Sequence, residues 1–459
     1  MKNVQTETIE KSNGILTNYL KDKLKDVHLG ELLKGSSIAF IMRIIGMIFS
    51  YIFTLVITRN FGADAMGVFA LSFTALSIFS IIGRLGVDTA LLRFVAEYSA
   101  QDRWDLVKEI YIKSMKIVIP FCLILSLVLY ILSPYMAKYI FHKEYLSPYF
   151  RIISFAVLPM VLILINSNAL RALKKIKESS FFQNISNFLF ASIILVALVF
   201  FTNQLYIPIV SYVIALFLGA IVSQISWQKN AKLGPVAYKK TTKLKTVLYV
   251  SLPMLLSSSM FFIMHWIDTI MLGILKTEAE VGVYNIVLKV ATLTNITLVA
   301  INTIAAPKFA EFYSKGDMAG LGKTTRQSTK LIFWTSFPTL IVIFLFPSLI
   351  LGIFGEEFRA GIYALLFLTF GQFINSISGS VALILQMTGK QKVFQNIMLI
   401  ATVINVILNA ILIPRYGIDG AAFASMISVI FWNLASVFYI KQYLNVLTVY
   451  IPIINYKNI

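Results

Sequence analysis

Long apolar runs alternate with short polar connections along this chain. Runs of about 20 residues, enough to cross roughly 30 Å of hydrocarbon as a helix, fall near 36–58, 65–83, 117–140, 152–170, 184–202, 206–226, 246–272, 281–304, 331–354, 361–385, 393–413 and 419–440. Twelve in succession leave too little polar sequence to coat a soluble core. The pattern predicts an all-α integral membrane protein with twelve transmembrane helices. Residues 1–35 are polar, carry six lysines and lack a short apolar core with a small-residue cleavage site, so the first span is expected to act as the membrane signal. Within this tail Leu16, Leu20, Leu24 and Val27 share a helical face, as in a short interfacial anchor.

Internal repetition organises the twelve spans. A shift of 215 residues superposes Ser36 on Ser251, Gly67-Val68 on Gly282-Val283, Phe94 on Phe309, Tyr98-Ser99 on Tyr313-Ser314, Asp102 on Asp317 and Lys108 on Lys323 without a gap. Further on, a shift of 212 places FFQNI at 181–185 on VFQNI at 393–397. Matches at polar residues, in register and at equivalent loops, indicate a duplication. Each half has an even number of spans, so the halves enter the membrane in the same sense and form two pseudo-symmetric six-helix bundles about an axis along its normal. The expected layout is a cytoplasmic tail 1–35, a first bundle 36–226, a basic linker 227–245, a second bundle 246–440 and a cytoplasmic tail 441–459.

Composition agrees: 58% hydrophobic and 13% charged residues depart from the soluble norm of about 45–50% and about 25%. The 40 Lys+Arg against 21 Asp+Glu raise the question of nucleic acid, and their placement answers it. One side of the predicted membrane receives 31 of them, and the other only Arg59, Lys138, Lys143, Arg151, Lys276, Arg359 and Arg415. Basic residues stay on the cytoplasmic side, so both termini are expected in the cytoplasm of a cell or inner membrane, with no nucleic-acid partner. The single cysteine, Cys122, allows no internal disulfide, and three scattered histidines make no metal centre. An enzyme acting on lipid-linked sugars would need acids or histidines and a sizeable outer loop, whereas the longest outer connection, 141–151, is about a dozen residues. No catalysis and no cofactor are expected.

Ionisable residues inside spans cost about 2.5–3.5 kcal/mol each and mark functional candidates. They are Arg43 in the first span, Asp268 in the seventh and Lys289 in the eighth, with His265 one turn before Asp268. Arg43 and Lys289 belong to opposite bundles. They either line a central cavity and meet an anionic head group, or Lys289 pairs with Asp268 and Arg43 snorkels to the surface. Asp268, with His265 beside it, is the candidate for coupling to H+ or Na+, or else a salt-bridge partner. Arg93 and Lys308, related by the repeat, follow the second and eighth spans at the basic face as a second cationic pair or as ordinary positive-inside charge. Amides such as Asn285 can bind sugar hydroxyls or bridge helices.

The motifs LPMLLSSS at 252–259, WIDTIMLG at 266–273, VGVYN at 281–285, APKFAEFYS at 306–314, LRALKKIKESSFFQ at 170–183 and YGIDGAAFAS at 416–425 together resemble the polysaccharide-biosynthesis branch of the multidrug/oligosaccharidyl-lipid/polysaccharide exporter superfamily, which includes the Wzx O-antigen flippases. The resemblance implies a MATE-like fold and a flippase that carries undecaprenyl-diphosphate-linked oligosaccharide to the outer leaflet by a rocker-switch. It implies a cationic cavity at Arg43 and Lys289, and as partners the lipid-linked oligosaccharide, membrane lipids, polysaccharide polymerase and chain-length machinery. Two alternatives remain. Multidrug relatives commonly carry an acidic cation site in the first bundle, but the repeat mate of Asp268 is Phe53. Lipid II flippases typically have fourteen helices, against twelve here.

Overall fold

A computed structural model describes residues 27–202, 204–231, 266–450 and 452, with side chains from Gly35 onward apart from Ser36. The tail positions Leu16, Leu20 and Leu24, the 252–259 motif, His265 and most of the linker and seventh span lie outside the described residues. All regular structure among the described residues is helical.

Eight helices are long and apolar enough to cross a membrane, and a ninth span arises if the pair Glu144–Ser154 and Val157–Ala172, bent by 42°, is counted as one. Two of the eight are each two helices joined at a glycine. Val27–Arg84 breaks at Gly62, where φ is 79°, and Gln391–Leu444 breaks at Gly417, where φ is 55°. Unbroken, either would run about 80 Å or more at 1.5 Å per residue, far beyond the hydrocarbon thickness. Glycine lets the chain take the left-handed conformation at the break without a Cβ clash. With these two divided, and Trp266–Leu275 as the described end of the seventh span, the helices are consistent with the expected twelve.

One boundary differs from its expectation. The span read as 331–354 is a helix Met318–Leu345, followed by a separate Pro347–Gly352. Pro347 has no N–H to donate and restricts the residue before it, and Phe346 leaves the helical region with ψ 41°.

The surface is that of a membrane protein. On the helix Trp104–Tyr135, Leu123, Leu127 and Ile131 recur every fourth residue and are more than half exposed, a lipid-facing stripe. Internally, the larger hydrophobic core runs from Phe53 and Leu76 through Tyr284, Val287 and Leu365 to Ala422, joining both bundles. A smaller core, with Phe309, Leu321, Ile384 and Phe394, fills the second bundle near its basic loops.

The bundles meet at the face opposite those loops. Ala63 N donates to Glu357 Oε1 at 2.7 Å, and Arg59 Nε to the Ile353 carbonyl at 2.7 Å. Lys143 Nζ lies 2.9 Å from Glu278 Oε1. Deeper in the same seam, the Phe73 and Trp266 rings stand 5.4 Å apart.

Candidate functional site

At the basic face the bundles separate around a cavity of about 1200 Å³. Gly35, Ala39, Arg43, Met47 and Ser50 line it at helical spacing, so one face of the first span forms a wall. The connection 171–180 and the start of the fifth span form another, and Val299 and Thr303 close it from the second bundle. Arg43, Arg171, Lys174, Lys175 and Lys177 face it, with Glu178 the acid among its lining residues. Such a pocket attracts anions, and its guanidiniums suit phosphate oxygens.

Lys289 stands behind the far end of this cavity. It lies on the helix Glu278–Ala291 of the second bundle, yet its partners are in the first. Nζ donates to the Ser50 carbonyl and the Ser50 hydroxyl, each at 2.8 Å, and to the Thr54 hydroxyl. Tyr51 returns a hydrogen bond at 2.8 Å from its hydroxyl to the Lys289 carbonyl. The ammonium also sits 4.9 Å from the Tyr51 ring centre and 5.8 Å from that of Phe188, within cation–π range. Ser50 and Phe188 line the cavity as well. A cation of the second bundle therefore reaches the cavity's inner end through groups of the first, and no carboxylate among the described residues forms a salt bridge with it.

Asp268, the alternative partner weighed for Lys289, is occupied elsewhere. Tyr284 Oη donates to Oδ2 at 2.7 Å, Asn409 Nδ2 to Oδ1 at 2.6 Å, and the Ser425 hydroxyl to Oδ2. Asn405 Oδ1 accepts from Asn409 Nδ2 at 3.0 Å, while Asn409 Oδ1 is buried with no partner among the described residues. Asp268 is thus a buried carboxylate held by neutral donors, with spare oxygen beside it. Its repeat mate Phe53 is wholly buried among aromatic rings, 5.3 Å from Phe69 and 6.1 Å from Tyr212. The duplicated positions have diverged into a polar hub and an aromatic plug.

The other candidates fall outside the cavity wall. Arg93 is exposed and stacks over Phe94 at 5.9 Å, and Lys308 is exposed on its helix. Asn285 is partly buried on the helix that carries Lys289. Residues that sequence reasoning did not place at the site are Arg171, Lys174, Lys175 and Lys177. Their signal was the basic run in 170–183, which precedes the repeated FFQNI segment.

Comparison with known proteins follows the same lines. The profile of the polysaccharide biosynthesis protein family matches residues 32–313, and that of the MatE family residues 253–411. A probable low-salt glycan biosynthesis flippase of Haloferax volcanii is 26% identical over 182 residues, which span 39% of this chain and 39% of that relative's length. An uncharacterized membrane protein of Methanocaldococcus jannaschii is 24% identical over 410 residues, 86% of this chain and 94% of the relative. Among solved structures, an inward-facing multidrug resistance MATE family transporter superposes with TM-score 0.70, covering 88% of this chain and 98% of that one at 14% identity. The lipid II flippase MurJ gives TM-score 0.69, covering 89% and 87% at 14% identity. These two likenesses concern the fold.

Proposed function

The chain belongs to the polysaccharide biosynthesis protein family, and from that premise we propose that it is a flippase for a polyprenyl-diphosphate-linked oligosaccharide. The observation that carries the proposal is the inter-bundle cavity, whose basic side chains outnumber its single acid and whose inner end is backed by Lys289. A diphosphate head group supplies the opposite charge, and the glycan meets Ser179, Ser180, Gln183 and Asn184 among otherwise largely apolar walls, while the polyprenyl tail remains in lipid between the bundles. The relative described as a glycan biosynthesis flippase supports the same substrate class.

In the proposed cycle the basic face is cytoplasmic and so are both termini, as positive-inside placement requires. The head group enters past Lys175 and Lys177, meets Arg43 and reaches Ser50. There its phosphate competes with Ser50 and Thr54 for the Lys289 ammonium. A phosphate contact with an ammonium is charge-assisted on both sides and stronger than bonds to neutral oxygens. Loss of the Lys289 tie to the first span frees the bundles to rock, and the opposite seam opens. Asp268, ringed by neutral donors, with Asn409 Oδ1 beside it unpartnered among the described residues, is the position for H+ or Na+ coupling. Protonation or ion binding there would re-sort the hydrogen bonds that join the seventh, eighth, eleventh and twelfth spans.

The test is transport by the full chain in proteoliposomes, read as protection of a labelled undecaprenyl-diphosphate oligosaccharide from an external modifying reagent. The proposal expects protein-dependent movement of that lipid and none of a lipophilic cationic dye. Dye export without glycolipid movement would replace it with a multidrug exporter, and movement of lipid II alone with a peptidoglycan flippase.

A further inference from the structure

We propose that Gln183, carried on a π-helical turn in the cavity wall, selects the sugar bonded directly to the diphosphate. The inference rests on the flippase reading and deepens it, because it names the part of the head group that the first bundle reads.

The turn is Phe181–Ile185, where the Ser186 N–H reaches back five residues to the Phe181 carbonyl. Such a bond inserts an extra residue into a helix, and turns of this kind are frequent at functional sites. The repeat supplies an internal comparison. VFQNI at 393–397 is regular α-helix within Gln391–Leu444. Phe182 and its mate Phe394 are buried in both bundles, but Gln183 and Asn184 line the cavity, whereas Gln395 and Asn396 do not. The first span is fitted to the turn. A Cβ on Gly46 would run into the Asn184 carbonyl, and the repeat mate of Gly46 is the bulky Phe261.

Neutral side chains around Gln183 are already engaged. Asn184 Nδ2 donates to the Ser180 carbonyl at 3.1 Å, the Ser179 hydroxyl lies 3.2 Å from that of Ser167, and Ser50 Oγ accepts from Lys289. Gln183 is exposed to the cavity and bonds to no described residue through its side chain. Its amide presents a donor and an acceptor side by side, the complement of two neighbouring sugar hydroxyls or of an acetamido group. Arg43 lies on the same helix face as Gly46, one turn nearer the basic loops. A phosphate on its guanidinium therefore sets the first sugar against the turn. The choice is made before the phosphate reaches Lys289.

The test is isothermal titration calorimetry on the full chain in phosphatidylcholine nanodiscs, with the signal of empty nanodiscs subtracted. The probes are farnesyl diphosphate and the same lipid carrying glucose, galactose or N-acetylglucosamine. Wild type is expected to bind one or more of the sugar lipids more tightly than the bare diphosphate. Gln183→Ala is expected to weaken that sugar lipid about tenfold, as the loss of two neutral hydrogen bonds implies. It should leave farnesyl diphosphate unchanged, which also shows that the variant is folded. Arg43→Ala should weaken both classes, and Asn396→Ala, at the exposed repeat mate of Asn184, neither. Equal wild-type affinity for bare and sugar lipids, unchanged sugar-lipid affinity in Gln183→Ala, or an equal loss of both classes in that variant overturns the role of Gln183 and leaves the diphosphate site standing. Wild type that binds none of these lipids overturns the flippase reading and this inference with it.

Discussion

Gly67 and Gly282, repeat mates 215 residues apart, pack reciprocally across the closed seam. A Cβ on Gly67 would run into the Glu278 carbonyl, and one on Gly282 into the carbonyl of Ala63, the repeat mate of Glu278. Each bundle thus presents the same small residue to the same backbone position of the other, as a two-fold contact requires. Close helix approach at paired glycines is a standard way to join membrane helices.

Gly282→Ala is therefore expected to push the seam apart, since overpacking costs about 1–3 kcal/mol. A cysteine replacing Ala65, which is 1% exposed beside the seam, should react with a water-soluble maleimide about tenfold faster in the Gly282→Ala background. Unchanged labelling would mean that the helices slide past the added methyl without opening.

Lys289→Met separates function from stability. It removes a charge that, among the described residues, is bonded only to neutral groups, and the Thr54 hydroxyl keeps its own bond to the Ser50 carbonyl at 2.8 Å. Replacing a buried charge by an apolar side chain of like volume is often neutral or stabilising. The melting temperature is expected to hold or rise, while flipping falls about tenfold or more with the loss of a charge-assisted phosphate contact. A collapsed melting temperature with transport intact would refute this role.

Lys175 and Lys177 are exposed at the cavity mouth, so their contribution should be long-range and screened. Replacing both by Gln is expected to slow glycolipid capture several-fold at low ionic strength. The difference should fade near 1 M salt, where the Debye length is about 3 Å. Arg93→Gln and Lys308→Gln, at exposed positions outside the cavity wall, are expected to change flipping less than about twofold, within the range of a surface charge.

Asp268→Asn keeps the shape but turns one acceptor into a donor facing Tyr284 and Ser425. The mismatch is expected to cost about 1–3 kcal/mol of stability. It should also abolish the response of flipping to an imposed H+ or Na+ gradient, measured in proteoliposomes with and without an ionophore. A gradient response equal to wild type would remove Asp268 from coupling.

The fold was largely legible because membrane spans and duplication leave coarse signals. Span length is fixed by the bilayer, and the polar matches around Gly67 and Gly282 held register across the repeat. The site was legible only in part. Arg43 stood out as a charge within an apolar run and lines the cavity. Lys289 stood out for the same reason, but Ser50 and Thr54, which hold it, look like any small hydroxyls in a helix. They lie more than 230 residues away in sequence, beyond the reach of any local pattern. Arg171, Lys174, Lys175 and Lys177 were visible as charge, yet membrane topology already accounted for a basic loop there. Pro347 was a readable stop whose effect the apolar run around it concealed.

The most direct test of the cationic cavity compares wild type with Arg43→Ala and Lys289→Ala at matched protein levels, measuring flipping of a labelled polyprenyl-diphosphate oligosaccharide in proteoliposomes. Loss of transport in both variants is the predicted result, because each removes a cation from the path of the diphosphate. Robust wild-type flipping that neither change alters would contradict the site, and the diphosphate would have to be gripped elsewhere.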